Sequence, residues 1–131
     1  MKDQRLAIKS SGSENALRNQ LMDVALEIHK NIGLGLGREE YGKALETELT
    51  LRSMNFAKNQ VVKLDYKGSV AGEYNLDFIV EDSIALAISS GESNRDIDEG
   101  RLRSILKTLK LKLGLVINFS KDILEIKTVE R

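Results

Sequence analysis

Cysteine is absent from this 131-residue chain and histidine occurs once. That excludes disulfides, thiolate nucleophiles, Cys-ligated zinc and the multi-histidine sites that hold catalytic zinc. The metal chemistry left is that of hard cations on carboxylates: Mg²⁺, Mn²⁺ or Ca²⁺. An excess of either charge is lacking too, because 20 basic residues balance 20 acidic ones. No overall field draws nucleic acid or an anionic membrane, and such a partner has to be held by a local patch. Long apolar runs are missing, and Met1 to Gly12 carries charges without the apolar stretch of about 7–15 residues that marks a secretion signal. The chain reads as a soluble, cytoplasmic protein with no membrane partner. Aromatic residues make up only 5% of the chain, which leaves few rings to stack on bases. What is present, 41% hydrophobic residues, suffices for one core and not for two ordinary domains.

Lys9-Ser10-Ser11-Gly12-Ser13 is small and polar, and is expected to end a flexible leader over residues 1–12, with a single domain over 13–131. Leu17, Leu21, Val24, Ala25, Ile28 and Ile32 recur at spacings of three and four. They predict a helix over about residues 14–32 with Ser13 as its N-cap. Gly33, Gly35 and Gly37 stop it, and Tyr41, Ala44, Leu45 and Leu49 predict a second helix over about residues 38–54. Two period-two runs, 61–66 and 73–80, then read as antiparallel strands, and a third, 84–89, pairs back on the second in a meander. Ile97, Leu102, Ile105, Leu106 and Leu109 define a third helix ending about Lys110. Leu113 to Phe119 is apolar like a strand covered on both faces, and 123–129 alternates again. No internal repeat is visible. The order ααβββαββ implies an α/β (α+β) fold, a mixed sheet flanked by helices.

A three-residue loop at 81–83 pairs Val80 with Ile84, Asp77 with Ala87 and Asn75 with Ser89. On that register Asn75, Asp77, Ala87 and Ser89 form a small polar patch, opposite an apolar face of Tyr74, Leu76, Phe78, Leu86 and Ile88.

Several segments together resemble a known family. They are His29-Lys30-Asn31-Ile32-Gly33-Leu34-Gly35 ahead of Tyr41, Tyr66-Lys67-Gly68, Gly72-Glu73-Tyr74 with Asp77 to Val80, and Gly114 to Phe119. Over roughly residues 20–130 the chain resembles the GxxExxY family of the PD-(D/E)XK nuclease-like superfamily. The resemblance implies a restriction-endonuclease-like core. It also implies an Asp on the second strand, an E-x-K on the third, a Glu on a preceding helix and often a Gln on a following one. Together these hold Mg²⁺ and activate water for phosphodiester hydrolysis.

Of those positions only Asp77 keeps its residue. Arg38 stands where the helical Glu is expected, Ala87 and Ser89 replace the E-x-K pair, and Arg101 falls on the Gln position. Glu39 and Glu40 project about 100° and 200° away from Arg38 around a helix. Alanine offers no ligand atom, and serine cannot carry lysine's charge. One carboxylate holds Mg²⁺ weakly, because the ion is costly to dehydrate. The expectation is therefore a catalytically inactive pseudoenzyme with no cofactor, serving as a binding or structural module, with Asp77 vestigial and paired with Arg38 or Arg101. The alternative is a Mg²⁺- or Mn²⁺-dependent nuclease with relocated groups, drawing on Glu73, Glu81 or Glu92. Glu81 is the weaker candidate at about 13 Å along the strand from Asp77.

A third reading is a non-catalytic nucleic-acid-binding module. Arg101, Arg103, Lys107, Lys110 and Lys112 form a run free of acids that could contact phosphates. The same run also reads as a solvated helix face, with cations toward the C-terminus and Asp96, Asp98 and Glu99 toward the N-terminus. His29 reads as a cap or interface residue, and the alternating glycines, without a preceding strand, as a helix linker and not a dinucleotide loop. A homodimer is the default expectation for a small domain of this kind, with no surface fixed by sequence.

Overall fold

The computed structural model describes residues 9–89, 96–120 and 122–131, with side chains described from Glu14 onward. Helix α1 spans Lys9–Ile32, and its stripe Leu21, Val24, Ala25 and Ile28 is buried. Ser13 lies inside this helix and is not its N-cap, and residues 9–12 of the expected leader are helical. Once later turns are formed, each added residue gains a backbone hydrogen bond at little cost, so small polar residues extend the helix. Gly33 ends it at φ 76, a conformation that costs glycine no Cβ clash. Helix α2 spans Arg38–Leu51, three residues shorter than expected. It stops because Ser53 turns left-handed at φ 58 and the Met54 amide closes back on the Leu49 carbonyl at 2.9 Å.

Strands β1 (Phe56–Tyr66) and β2 (Ser69–Val80) form a hairpin longer than the alternating pattern implied. Its tip is a two-residue turn, Lys67 and Gly68, at φ 51 and 89, which matches the right-handed strand twist. The start of β1 carries no alternation signal because Ala57 to Gln60 are exposed; pairing with buried Phe78 and Val80 holds it in the ladder. Strand β3 (Ile84–Ser89), helix α3 (Glu99–Leu109), and strands β4 (Leu113–Asn118) and β5 (Glu125–Glu130) complete the chain. The five strands lie in sequence order; β3 and β4 are parallel and the other neighbours antiparallel. The mixed sheet flanked by helices expected from sequence is thus present. No described helix is long and apolar enough to cross a membrane.

Helices α1 and α2 cover one face, where Leu45, Leu49, Phe78, Leu86, Ile88, Leu115 and Ile117 share a core. Helix α3 covers the other, over Leu76, Ala85, Ala87, Val116 and Val129. Burial on both faces explains why β3 and β4 read as unbroken apolar runs. Gly114 lets α3 close down: a Cβ there would lie 2.8 Å from Leu102 Cδ2.

The β2–β3 register agrees with expectation at Val80↔Ile84, and continues through Ile79↔Ala85 and Phe78↔Leu86. Pairing stops there, so the expected Asp77↔Ala87 and Asn75↔Ser89 partners do not form a ladder. The expected apolar face also divides: Leu76 and Tyr74 pack on the α3 side, whereas Phe78, Leu86 and Ile88 pack on the α1/α2 side. The cause lies opposite Asp77 on β1, where Asn59 turns left-handed at φ 54 and the ladder skips from Lys58↔Phe78 to Gln60↔Leu76. That break in the pleat changes which way the side chains before Asp77 face.

Candidate functional site

Asp77 is the only polar or charged residue among the described residues to be buried, at 8% exposure. Its position at the break in the β2 pleat, beyond the last β2–β3 pair, explains how it is satisfied. The amide of Ile88 donates to its Oδ2 at 2.7 Å, so the carboxylate takes the place of a strand acceptor. Arg38 Nη1 donates to both Asp77 oxygens, at 3.1 and 2.9 Å. Arg38 Nη2 reaches Asp96 Oδ1 at 2.7 Å, so one guanidinium spans two carboxylates.

Arg38 is the first residue of α2, following Gly37 at the N-cap. A cation there opposes the positive end of the helix dipole, and the two carboxylates supply the opposing charge. The first turn is itself capped by Glu40, whose Oε1 accepts from the Gly37 amide at 2.6 Å. The approach of α2 is set by Tyr41, whose hydroxyl donates to the Gly33 carbonyl at 2.7 Å and whose ring stacks on Phe119 with centroids 4.3 Å apart. His29 packs its ring 6.4 Å from the same Phe119. Gly33 and Gly35, both at positive φ, serve as the helix link.

Burial is the largest influence on the Asp77 carboxyl and raises its pKa above the ordinary value. The Ile88 amide and Arg38 pull it back down in part, and the nearby Asp96 charge adds to the rise.

The positions singled out in the sequence converge around this pair, though not all on Asp77. Ser89 Oγ donates to Asp96 Oδ2 at 3.1 Å. Arg101 Nη1 donates to the Asp96 backbone carbonyl at 3.2 Å and lies 3.5 Å from Asp98 Oδ2, so the Asp77 pairing falls to Arg38 alone. Ala87 is fully buried beneath α3. Of the relocation candidates, Glu73 lines the same cavity of about 460 Å³ as Arg38, Asp77, Asp96 and Arg101. Glu81 instead accepts from the Asn55 amide at 2.7 Å, and Glu92 lies outside the described residues. A second groove of about 340 Å³, between α2 and β1, also has Arg38, Asn59 and Asp77 in its wall. These three residues therefore stand between two openings.

Asp96 is the site residue that sequence reasoning missed. As an acid just before α3 it is already accounted for by the helix dipole, and only the β3–α3–β4 crossover brings it back over the end of β3. Among the described residues, no group of three or more His, Asp or Glu side chains is arranged to hold a metal ion.

The basic run divides. At about 100° per residue, Arg101 projects at least about 120° from Arg103 and Lys107 around α3, and Lys110 is the left-handed C-cap beyond the helix. Lys112 lines a separate groove with Glu14, Glu130 and Arg131.

Compared with known proteins, residues 15–131 match the family model of the PD-(D/E)XK nuclease superfamily. No curated protein and no solved structure matches the chain significantly.

Proposed function

Because the chain belongs to the PD-(D/E)XK nuclease superfamily, we propose that it is a member of the GxxExxY type whose hydrolytic site is closed, acting as a non-catalytic binding or structural module. The observation that carries this reading is the Arg38 guanidinium on Asp77 at 2.9 Å, a tethered cation on the one acid of the superfamily set that this chain keeps. The donor set does not fit Mg²⁺ or Mn²⁺. Both Asp77 oxygens accept hydrogen bonds, Ala87 has no ligand atom, the Ser89 hydroxyl is committed to Asp96, and Arg38 repels a divalent ion. Arg38 and Asp77 hold the N-terminus of α2 against β2 and β3, and Asp96 ties in the segment leading to α3. The chemistry at this site is then structural ion pairing.

The rival is a Mg²⁺- or Mn²⁺-dependent nuclease with relocated ligands, and one observation favours it: Glu73 shares the cavity with Asp77 and Asp96. Incubating labelled single- and double-stranded DNA and RNA with Mg²⁺ or Mn²⁺, for the wild type and Asp77→Ala purified alike, separates the two. The expected result is no cleavage by either protein, with folding verified by circular dichroism. Cleavage by the wild type that disappears in Asp77→Ala overturns the closed-site reading.

A further inference from the structure

The two borders of the sheet differ. Strand β1 is interrupted at Asn59 and again between Leu64 and Asp65, whereas β5 pairs with β4 from Glu125 to Glu130 without a shift. The Arg131 amide donates inward to the Lys112 carbonyl at 3.0 Å. Backbone groups of an antiparallel strand alternate in direction, so Ile126, Thr128 and Glu130 turn their amides and carbonyls away from the sheet. One of these is met from outside, where Arg103 Nε donates to the Glu130 carbonyl at 3.1 Å. The backbone groups of Ile126 and Thr128 take no such partner among the described residues. Ile126 and Thr128 lie on the α1 side of the sheet, opposite Ile117 and Leu115, whereas Lys127 and Val129 lie on the α3 side, opposite Val116 and Gly114. Glu125 and Arg131 share the α3 side by alternation.

We propose that β5 joins two copies of this chain, antiparallel about a two-fold axis at Thr128, so that the five-stranded sheet runs on into its copy. A two-fold perpendicular to the sheet keeps each face on its own side, and residues opposite one another must then share a face. The charges select the register. With Thr128 opposite the partner's Thr128, Ile126 pairs with the partner's Glu130, and Glu125 faces the partner's Arg131 at both ends of the seam. The latter are the closer, non-hydrogen-bonded kind of cross-strand pair, in which opposite charges stabilise. The partner's Arg103, anchored on that same Glu130 carbonyl, stands beside Glu125 as well; the carbonyl keeps a second lone pair for the Ile126 amide. Shifting by one step either way sets Lys127 against the partner's Lys127 or the partner's Arg131, like charges that repel, and larger shifts leave less of β5 paired. A strand that complements itself in charge is fitted to a second copy. Such pairing is closed: it uses β5 of both copies and leaves the irregular β1 at the two outer borders. It holds whether or not the chain cuts nucleic acid, since the seam contains neither Arg38 nor Asp77.

The test is the mass of the full chain by analytical ultracentrifugation over a dilution series. A reversible dimer of twice the 14.6 kDa chain is expected; a monomer at every concentration, or open-ended growth, overturns the proposal. Thr128→Pro loses no bond to β4, because that amide turns outward, and should abolish the dimer. Glu125→Arg and Arg131→Glu should each weaken it by about tenfold, since symmetry spoils two cross-strand pairs at once, and the two together should restore it. These surface charges decide the matter if proline unsettles the strand. A dimer indifferent to all of them is built elsewhere and overturns the assignment. The chain has no cysteine, so Thr128→Cys carries a single thiol, whose α-carbon at the axis lies about 5.5 Å from its copy, within reach of a disulfide. Mild oxidation should cross-link this variant and not Lys63→Cys on the opposite border; equal cross-linking of the two overturns the seam.

Discussion

Arg38 is the residue on which the site turns, and its removal should cost more than a surface pair would. Asp77 is almost fully enclosed, so losing its partner strands a carboxylate away from water. Arg38→Ala should lower unfolding free energy by about 1.5–3 kcal/mol, the range for a hydrogen bond to a charged group, read by urea denaturation. A second expectation concerns pH. Because the folded-state pKa of Asp77 is raised, the fold holds the proton more tightly than the unfolded chain, whose carboxyl titrates near 3.8. The stability that Asp77 contributes is then greatest below about pH 3.8 and declines as pH rises through the raised value. Comparing wild type with Asp77→Asn from about pH 3 to about pH 7 should show the wild type's relative stability falling with pH; a rise would mean that Arg38 outweighs burial. At this scale the sequence was informative about Asp77, Arg38, Ser89 and Arg101 as neighbours, because the family resemblance aligns them. It was silent on Asp96, whose place depends on a crossover connection that no local pattern records.

At the scale of elements, α3 shows why some boundaries were legible. Asp98 accepts from the Arg101 amide at 2.9 Å, and Ile97 ahead of it and Leu102 after it join the same core, a capped start with a hydrophobic staple. Asp98→Ala should cost about 1 kcal/mol by thermal or chemical unfolding. Gly114→Ala tests the closeness of α3 to the sheet. The added methyl group meets Leu102 at 2.8 Å, and overpacking of this kind costs about 1–3 kcal/mol. Strands β3 and β4 were readable because burial on both faces leaves an apolar run. The first half of β1 was not, since Ala57 to Gln60 are exposed and carry no alternation. The extension of α1 to Lys9 was hidden for a related reason: small polar residues carry little propensity signal, and packing further along decides their state.

For the whole molecule, the sheet order places β3 at the centre, with β2 and β4 on its flanks and β1 and β5 at the edges. Protection should follow that order. In native-state hydrogen exchange the amides of β3 and β4, buried on both faces, should exchange last, and those near the β1–β2 turn should exchange early. The α/β order and the mixed sheet followed from periodicity alone, because each element changes period where its environment changes. The division of the polar patch at Asp77 could not follow from it, since strict alternation assumes an unbroken pleat.

The left-handed Asn59 has a further consequence, outside the site it helps to shape. Strand β1 is an 11-residue sheet edge with its outer hydrogen-bonding groups open, the kind of border on which other chains can stack into fibres. The kink at Asn59, the irregularity between Leu64 and Asp65, and Lys58 and Lys63 along the strand spoil it as a template. Asn59→Val favours straight, extended backbone, and should make concentrated solutions scatter more light on mild heating. The bend beside Asp77 should then also hinder edge-to-edge joining of copies of the chain along β1.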